Sequence, residues 1–476
     1  MSGPFPLPPE VWDRLPPEAQ ALIRALQAQV QALQQRVADL EARLGQNSTN
    51  SSRPPASDPP SVKRRPPAPG PGRRAGGQPG HPPAFRPLVP PGELQQSIPC
   101  KPTACRRCGR ALAGEDPAPR RHQVADLPPV RPAVIEYQLH RLRCPGCGIT
   151  TQAALPPGVP PHGCGPRLQG VLALLAGGYR LGKRPICRLA HDLFGLSISH
   201  GWLGKLERAT ARALAEPMAQ ARAAVPAWPA NVDETSFRQP GGRGWLWVAV
   251  TAVCTVFLLR RSRGADALAE VVGCQPQRVI TSDRLRTYDV LPLKQRQVCW
   301  AHLRRDFQAL IDRGGAGAVI GHELLGLSDD LFFFWPHVRD GTWPRARFQE
   351  QVVRWRVELG RWLAAGRACG CARTAGLCAD LERLEPALWA FAFEAGVEPT
   401  NNAAERALRH AVMWRKTSYG VQSEWGARFV ERVLTVAGTC RQQGREVLAY
   451  LVSCCEAWNR QRSSPALIPS ATSHVA

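Results

Sequence analysis

Residues 229–259 read PANVDETSFRQPGGRGWLWVAVTAVCTVFLL, and this stretch decides the fold. Apolar runs rich in β-branched and aromatic residues replace the helical periodicity of the preceding segment, and such runs predict strands. We predict a short strand at 230–232, followed by two long antiparallel strands at 245–253 and 255–259. Asp233 directly follows the first of these strands, so an acidic side chain is expected at a strand end.

The residues that follow, up to 310, continue the same sheet. The pattern predicts a helix at 265–272, a strand at 277–281 that leads to Asp283, and a fifth strand at 297–300 before a helix at 302–310. The resulting order is β-β-β-α-β-α-β, with acids at the ends of the first and fourth strands. This order is typical of an RNase H-like core, and the expected class is a multidomain α/β protein.

The core is predicted to be split by a helical insertion. Its first part is assigned to 228–314, and residues 315–397 are rich in Trp and Leu without a strand signal. Residues 398–445 return to the core with two helices, expected at 402–415 and 426–443. The chain therefore reaches the third candidate acid, which lies in the first of these helices, only after the insertion.

The N-terminal segment 1–45 has the pattern of a leucine-zipper-like coiled coil. Apolar residues recur at alternating spacings of three and four, which favours a parallel two-stranded coiled coil. A helix docked on its own domain is the alternative interpretation. The seam residues are Ile23, Leu26, Val30, Leu33, Val37, Leu40 and Leu44.

Two segments lack the pattern of a folded domain. Residues 46–98 are dominated by Asn, Ser, Pro and Gly with embedded basic clusters, and we predict a disordered basic linker there. Residues 446–476 are expected to form a C-terminal helix and then a disordered tail.

Residues 165–225 are predicted to form a helical, helix-turn-helix-like domain. Helices are expected at 168–179, 185–193 and 199–214, with Ser199 as the N-cap of the last one. An ordinary helical hairpin remains the alternative. If the motif reads DNA, the residues facing the groove or phosphates are Lys183, Arg184, His200, Lys205 and Arg208.

Residues 99–150 are predicted to form a zinc-binding ribbon. Two CxxC pairs, each followed by glycine, can bring four thiolates to one Zn²⁺ in a closed structural site. A redox role is disfavoured because no thioredoxin-like βαβ pattern surrounds the pairs. The expected ligands are Cys105, Cys108, Cys144 and Cys147, with Cys100, His122 and His140 as lower-ranked alternatives.

The composition favours a polyanionic partner. The formal net charge is +23, carried mostly by arginine, which contacts phosphates in a bidentate manner. We expect double-stranded DNA as that partner. Neither a signal peptide nor a run of apolar residues long enough for a membrane span is evident, so we expect a cytoplasmic, nucleoid-associated protein.

Three separated acids are the candidate catalytic residues: Asp233, Asp283 and Glu405. Three converging carboxylates can hold a pair of Mg²⁺ ions for phosphoryl transfer. Each has an alternative. Glu234 is the alternative to Asp233, and Asp289 is the alternative to Asp283. Glu405 can instead cap its own helix or form an ion pair with Arg409, four residues later.

At this point the chain resembles the IS66 family of transposases over nearly its whole length. The matching motifs are LGQNS at 44–48, SSRPP at 51–55, GGQPGH at 76–81, the two CxxC pairs, YRL at 179–181, FG at 194–195, VDET at 232–235, CWAHLRR at 299–305, NNAAER at 401–406 and RK at 415–416.

The resemblance implies a DDE transposase of an insertion sequence. Carried over by motif, its triad is Asp233, Asp283 and Glu405, using two Mg²⁺ or Mn²⁺ ions. The family often has Asp where this chain has Thr400, and Gly with an aromatic where it has Arg284-Leu285. The second departure bears on the assignment of Asp283.

The implied reaction is DNA cleavage and strand transfer at the terminal inverted repeats, carried out by a homodimer or higher oligomer with accessory proteins of the same element. A non-catalytic repressor or inactive copy, and a structure-specific nuclease, are the alternative functions. Further candidate DNA contacts are His302, Arg304, Arg305, Arg409, Arg415 and Lys416.

Overall fold

The computed structural model describes residues 9–47, 51–53, 87–274 and 276–468. Most of the predicted linker and the final part of the predicted tail lie outside these residues. The chain divides into two compact units, which are Lys63–Val134 and the combination of Met1–Val62 with Ile135–Ala476. Each unit is considered by itself below.

The N-terminal region is helical. A short helix α1 (Pro9–Trp12) precedes the long helix α2 (Pro17–Leu44), which covers the predicted coiled-coil segment. Leu26, Leu33 and Val37 of the predicted seam are each more than half exposed in the single chain. The described residues therefore leave these three positions of the stripe largely uncovered.

The cysteine region contains little regular structure. A single 3-10 turn lies at Pro91–Glu93. Strands β1 (Arg141–Arg143) and β2 (Thr150–Gln152) pair as an antiparallel hairpin that encloses the second CxxC pair.

The predicted helix-turn-helix segment contains four helices. Ser199 caps one of them as predicted, because its Oγ accepts the backbone N–H of Trp202 at 3.1 Å. Gly195 ends the preceding helix in the left-handed conformation, with φ of 65°, which glycine adopts without strain. The helices are α3 (Pro166–Gly177), α4 (Lys183–Phe194), α5 (His200–Ala213) and α6 (Ala215–Ala224), followed by a 3-10 turn at Val225–Ala227.

A five-stranded mixed sheet follows. Its spatial order is β5-β4-β3-β6-β7, in which the first three strands are antiparallel and the last two run parallel to β3. Helix α7 (Ala265–Val272) makes the crossover between β5 and β6. The strands are β3 (Ala230–Gln239), β4 (Gly242–Val250), β5 (Thr255–Arg260), β6 (Ile280–Ser282) and β7 (Arg296–Val298).

Two sequence predictions for the sheet were wrong. The strand expected at 230–232 runs to Gln239, because every residue from Asn231 onward pairs with β4 despite its polar composition. Asp233 therefore lies within a strand instead of at its end. The helix expected between the fourth and fifth strands is absent, and two 3-10 turns, Arg286–Val290 and Leu293–Gln295, make that connection.

Beyond the sheet, the described residues form helices joined by loops, and no further strand occurs among them. Helix α8 (Trp300–Arg313) leads into the insertion, which contains no strand, as predicted. The insertion helices are α9 (Ala316–Arg339), α10 (Arg345–Ala368), α11 (Ala372–Leu384) and α12 (Ala390–Phe393), with a 3-10 turn at Glu385–Leu388.

Three helices complete the chain. Helices α13 (Asn402–Ser418) and α14 (Glu424–Gln442) correspond to the two predicted core helices, and α15 (Val447–Asn459) follows them. Within the described part of the chain, no helix has both the length and the apolar character that a bilayer crossing requires.

Both edges of the sheet are covered. Side chains of α14 accept backbone N–H groups of the edge strand β5, including that of Phe257 by Thr435 at 2.9 Å and that of Leu259 by Glu431 at 2.7 Å. At the other edge, Gln297 of β7 donates to the carbonyl of Leu388 in the insertion at 3.0 Å. Satisfied edges stop a sheet from pairing with another chain.

Candidate active site

The parallel pairing of β3 with β6 brings two of the candidate acids together. Ala230 pairs with Ile280 and Asn231 pairs with Thr281. Continuing this register by two residues sets Asp233 beside Asp283, which follows the last residue of β6. The two carboxyls therefore come from adjacent strands on the same side of the sheet.

Glu405 reaches the same place through the start of α13. Asn401 is almost fully buried, and its Nδ2 donates to the carbonyl of Val232 at 2.7 Å. In return, Asn231 donates to the carbonyl of Thr400 at 2.9 Å. These two bonds fix the first turn of α13 against β3, one residue away from the first candidate acid.

The electrostatics agree with this convergence. Burial raises the pKa of Asp233 to about 8, and the carboxyl groups of Glu234, Asp283 and Glu405 contribute to the rise. The backbone N–H of Glu234 donates to Asp233 Oδ1 at 2.8 Å and partly offsets the effect. Negative charge is thus gathered around a partly buried carboxyl.

The candidate acids differ from the other acids nearby in their ion pairing with arginine. Among the described residues, neither Arg nor Lys forms an ion pair with Asp233, Asp283 or Glu405. In a chain with a formal net charge of +23 this is a distinctive arrangement. Neighbouring acids that do pair with arginine are Glu234, Asp289, Asp306, Asp380 and Glu431.

The competing acids are held by structural contacts. Glu234 is buried, where it accepts hydrogen bonds from Arg263 at 2.8 Å and from the hydroxyl of Tyr288 at 2.7 Å. Asp289 pairs with the fully buried Arg296 at 2.6 Å. Both carboxylates therefore have their charge compensated within the protein, which favours Asp233 and Asp283 as the reactive pair.

The capping alternative for Glu405 is not observed either. The helix begins at Asn402 with Asn401 as N-cap, and no side chain makes a capping hydrogen bond there. Glu405 Oε1 is buried without a hydrogen-bond partner among the described residues. The carboxylate is therefore free to serve another group.

His302 lies next to Glu405. Its Nδ1 is 3.7 Å from Glu405 Oε1. A ring nitrogen of His302, a carboxylate oxygen of Glu405 and the Cys299 sulfur all lie within 4.8 Å of one another. Burial, together with the nearby charge of Arg305, lowers the pKa of His302. The sequence had placed His302 among the DNA contacts, and its position beside the three acids suits a role in the site itself.

The basic residues near the site fall into two groups. Arg304 pairs with Asp329 at 2.5 Å, and Arg415 donates to Ser236 Oγ at 2.8 Å, so both guanidinium groups have partners within the chain. By contrast, Arg305, Arg409 and Lys416 form no ion pair with any described residue, and the last two are exposed. The second group is the better placed to meet phosphates.

The helix-turn-helix segment presents an exposed basic face. Arg184, His200 and Lys205 are exposed, as is Arg208, whose guanidinium lies 5.3 Å from the ring centre of Trp425. Lys183 differs because its Nζ pairs with Glu207 at 2.7 Å, which links α4 to α5.

The two cysteine pairs form knuckles with the same hydrogen-bond pattern. The N–H of Cys105 donates to the carbonyl of Arg110 at 2.9 Å, and the N–H of Cys144 donates to that of Ile149 at 2.8 Å. The glycines that follow have φ near 71° and 72°. Backbone donors lower the thiol pKa of Cys105 and Cys144, which favours the thiolate that binds zinc.

Sequence reasoning missed three residues that build the site. Asn401 was noticed only as part of a motif, although it anchors Glu405. Arg296 is fully buried in β7 and donates to the carbonyl of Asp283 at 3.2 Å as well as to Asp289. Tyr288 fixes Glu234. Arg296 directly precedes the strand predicted at 297–300, and an arginine at that position is the available signal, because a buried charge requires a partner.

Comparison with known proteins agrees with these observations. A model described as "Transposase IS66 family" matches residues 181–429, one described as "zinc-finger binding domain of transposase IS66" matches 102–148, and a family of unknown function, DUF6444, matches 7–87.

A curated relative, "Uncharacterized protein y4qI" of Sinorhizobium fredii, is 30% identical over 167 residues. The match spans 32% of this chain and 29% of that protein. No solved structure matches the chain. Because the first of the family models covers more than half of the sequence, the chain belongs to the IS66 family of transposases.

Proposed function

We propose that the chain is a DDE transposase with an RNase H-like core, in which Asp233, Asp283 and Glu405 form the catalytic triad. The strand order and directions of the five-stranded sheet support the core assignment. The observation that carries the proposal is the convergence of three acids without an Arg or Lys partner among the described residues, in a strongly basic chain.

The residues present fit a divalent cation. A carboxyl whose pKa is about 8 is poorly stabilised by its surroundings, and Glu405 Oε1 lacks a hydrogen-bond partner, so a cation would satisfy both. Carboxylate oxygens are the ligands that Mg²⁺ prefers. When bound, a pair of such ions activates the attacking oxygen and stabilises the leaving oxygen of a phosphodiester.

The chain's own groups would position the DNA. Arg305 lies beside His302, and Arg409 and Lys416 extend along α13, where they can contact the phosphates on either side of the scissile bond. The exposed basic face of α4 and α5 is the proposed reader of the terminal repeats. The zinc-finger match supports a structural Zn²⁺, with the four predicted cysteines as its ligands.

Pairing of two protomers is proposed to use α2. Its stripe of Leu26, Leu33 and Val37 is more than half exposed in the single chain, and such a stripe gains stability by packing against a second copy. A dimer suits a reaction that joins two DNA ends.

The test is Mg²⁺-dependent cleavage of a labelled duplex that carries the end of the element. We compare the wild type with Asp233→Ala, Asp283→Ala and Glu405→Ala, and use Glu424→Ala as the matched control. Glu424 is 85% exposed at the start of α14, so its removal should leave cleavage unchanged. DNA binding is measured in parallel for every variant.

We expect the wild type to cleave at the element end. We expect the three variants to lose this cleavage while they still bind DNA. DNA binding without any cleavage by the wild type would favour the repressor or the inactive copy. A structure-specific nuclease would be favoured if cleavage persisted after deletion of residues 1–150 and did not depend on the sequence of the element end. Cleavage retained by one triad variant would reject that acid alone.

A further inference from the structure

His302 and Glu405 present two buried polar atoms to each other without a bond between them. His302 Nδ1 and Glu405 Oε1 are 3.7 Å apart, which exceeds the 2.7–3.2 Å of a normal N–H···O hydrogen bond. Neither atom has a hydrogen-bond partner among the described residues. Buried polar groups are rarely left unsatisfied, so the pair indicates that a third group belongs between or beside these atoms.

Cys299 is not part of that pair, although its sulfur is close. Its Sγ accepts the backbone N–H of Asn401 at 3.1 Å, and the residue is fully buried. The sulfur is thus already engaged by a backbone donor, unlike His302 Nδ1 and Glu405 Oε1. Its role is to anchor Asn401, and the available donors are one imidazole nitrogen and one carboxylate oxygen.

The mixed donor set points to a particular class of cation. Imidazole nitrogen suits first-row transition metals, whereas Mg²⁺ is bound mainly through oxygen. The side chains of His302 and Glu405 are 29% and 30% exposed, although the two facing atoms are themselves buried. A closed structural zinc site would instead need four protein ligands.

We propose that His302 supplies a nitrogen ligand to the cation held by Glu405, so that this position binds Mn²⁺ in preference to Mg²⁺. The proposal rests on the proposed function, because it assumes that Glu405 binds a cation. It assigns His302 to the metal site instead of to the DNA surface, which distinguishes it from Arg305 in the same helix.

The test uses the full-length, metal-free protein loaded with Mn²⁺ alone. Pulsed electron paramagnetic resonance detects coupling between bound Mn²⁺ and the ¹⁴N of an imidazole, and titration calorimetry gives the affinity for each metal. We expect ¹⁴N coupling in the wild type and its loss in His302→Gln. Mn²⁺ affinity should fall on the order of 10-fold or more in that variant, while Mg²⁺ affinity changes less.

Two further variants keep the test decisive. His302→Asp replaces the nitrogen by an oxygen ligand, so it should bind metal without ¹⁴N coupling and shift the preference towards Mg²⁺. His410→Gln is the matched control, because His410 Nε2 lies 2.8 Å from the carbonyl of Gly177, away from the acids, and its loss should leave the coupling intact. Circular dichroism confirms that each variant is folded.

The possible failures are distinguishable. Mn²⁺ that binds only when Asp233 and Glu405 are intact, yet shows no ¹⁴N coupling, would overturn the role of His302 and leave the proposed triad standing. Coupling that persists in His302→Gln would also overturn it. If Mn²⁺ and Mg²⁺ do not bind, or bind equally well when Asp233 and Glu405 are replaced, both the inference and the proposed function would be overturned.

Discussion

Replacing Asp233 by asparagine is expected to stabilise the metal-free protein at alkaline pH. Burial and the carboxyls of Glu234, Asp283 and Glu405 raise the pKa of Asp233 from 3.8 to about 8. The native state therefore keeps a proton that the unfolded chain has lost. Because the unfolded state binds fewer protons in this window, the free energy of unfolding falls as the pH rises from 3.8 to about 8.

The size of the effect follows from the shift. One pKa unit corresponds to about 1.4 kcal/mol, which gives an upper bound of roughly 5 kcal/mol at pH 8. Relaxation and water around a partly accessible carboxyl reduce this value, and we expect about 2 kcal/mol. That corresponds to an increase in Tm of roughly 5 °C. Asparagine keeps an Oδ1 atom, so the hydrogen bond from the Glu234 N–H is retained.

Thermal unfolding in EDTA between about pH 5 and pH 8 measures this difference against the wild type. The gap between the two Tm values should widen as the pH rises. Adding Mg²⁺ should raise the Tm of the wild type more than that of the variant. Glu234→Gln is the matched control and should lower the Tm, because Glu234 accepts bonds from Arg263 and Tyr288. The reasoning would be refuted if Asp233→Asn and the wild type had equal Tm values at pH 8, or if the difference between their Tm values did not change with pH.

Three further changes test other parts of the structure. Arg296→Met removes one partner of Asp289, which keeps its pair with Arg383, and should lower the free energy of unfolding in urea by about 1 kcal/mol; no change would show that the pair is not stabilising. Arg284→Gln breaks the ion pairs beside the second acid, so the rate of cleavage should fall more than DNA affinity, and an equal fall in both would contradict this. Cys144→Ser should reduce the zinc content of the purified protein as measured by mass spectrometry, whereas Cys187→Ser should retain it; equal zinc in both would reject the assigned ligand.

Much of the fold could be predicted from local pattern. Apolar runs predicted β4 and β5, and helical periodicity predicted the insertion and the helices that follow it. The second half of β3 could not be predicted in this way, because residues such as Thr235 and Ser236 have no apolar run. They are extended because β4, the next strand along the chain, supplies their hydrogen bonds across a hairpin that local composition does not reveal.

The candidate site also combines features that local sequence predicts with features that depend on tertiary contacts. The three acids could be selected from the sequence because each lies at the end of a predicted element or in a distinctive motif, although Asp233 in fact lies inside β3. The choice between Asp283 and Asp289 depended on the partner of each carboxylate, which a single sequence does not reveal. Arg296 compensates the second of these acids and leaves the first without an ion pair to Arg or Lys among the described residues. Tertiary pairing therefore decided which acid remained available.

The insertion that separates Asp283 from Glu405 in the sequence packs against residues near the candidate site. Residues around the site belong to two hydrophobic clusters, one containing Val232 and Ala404 and the other containing Trp300 with the insertion helices. The N–H of Trp300 donates to the carbonyl of Pro399 at 2.9 Å, and its indole N–H donates to that of Leu388 at 2.7 Å.

The insertion also holds the segment after β6. Asp380 of α11 pairs with Arg284 at 2.5 Å, and Arg383 pairs with Asp289 at 3.3 Å. The loop that carries Asp283 is thus bound to the insertion by charge, while Glu405 is bound to β3 through Asn401. The insertion therefore contacts the segment that carries Asp283 through two ion pairs, and it contacts Trp300, whose N–H bonds the carbonyl of Pro399 shortly before α13. If the three acids form the proposed triad, these contacts help to position two of them, and we expect removal of the insertion to displace Asp283 more than Asp233, which lies within the paired strand β3.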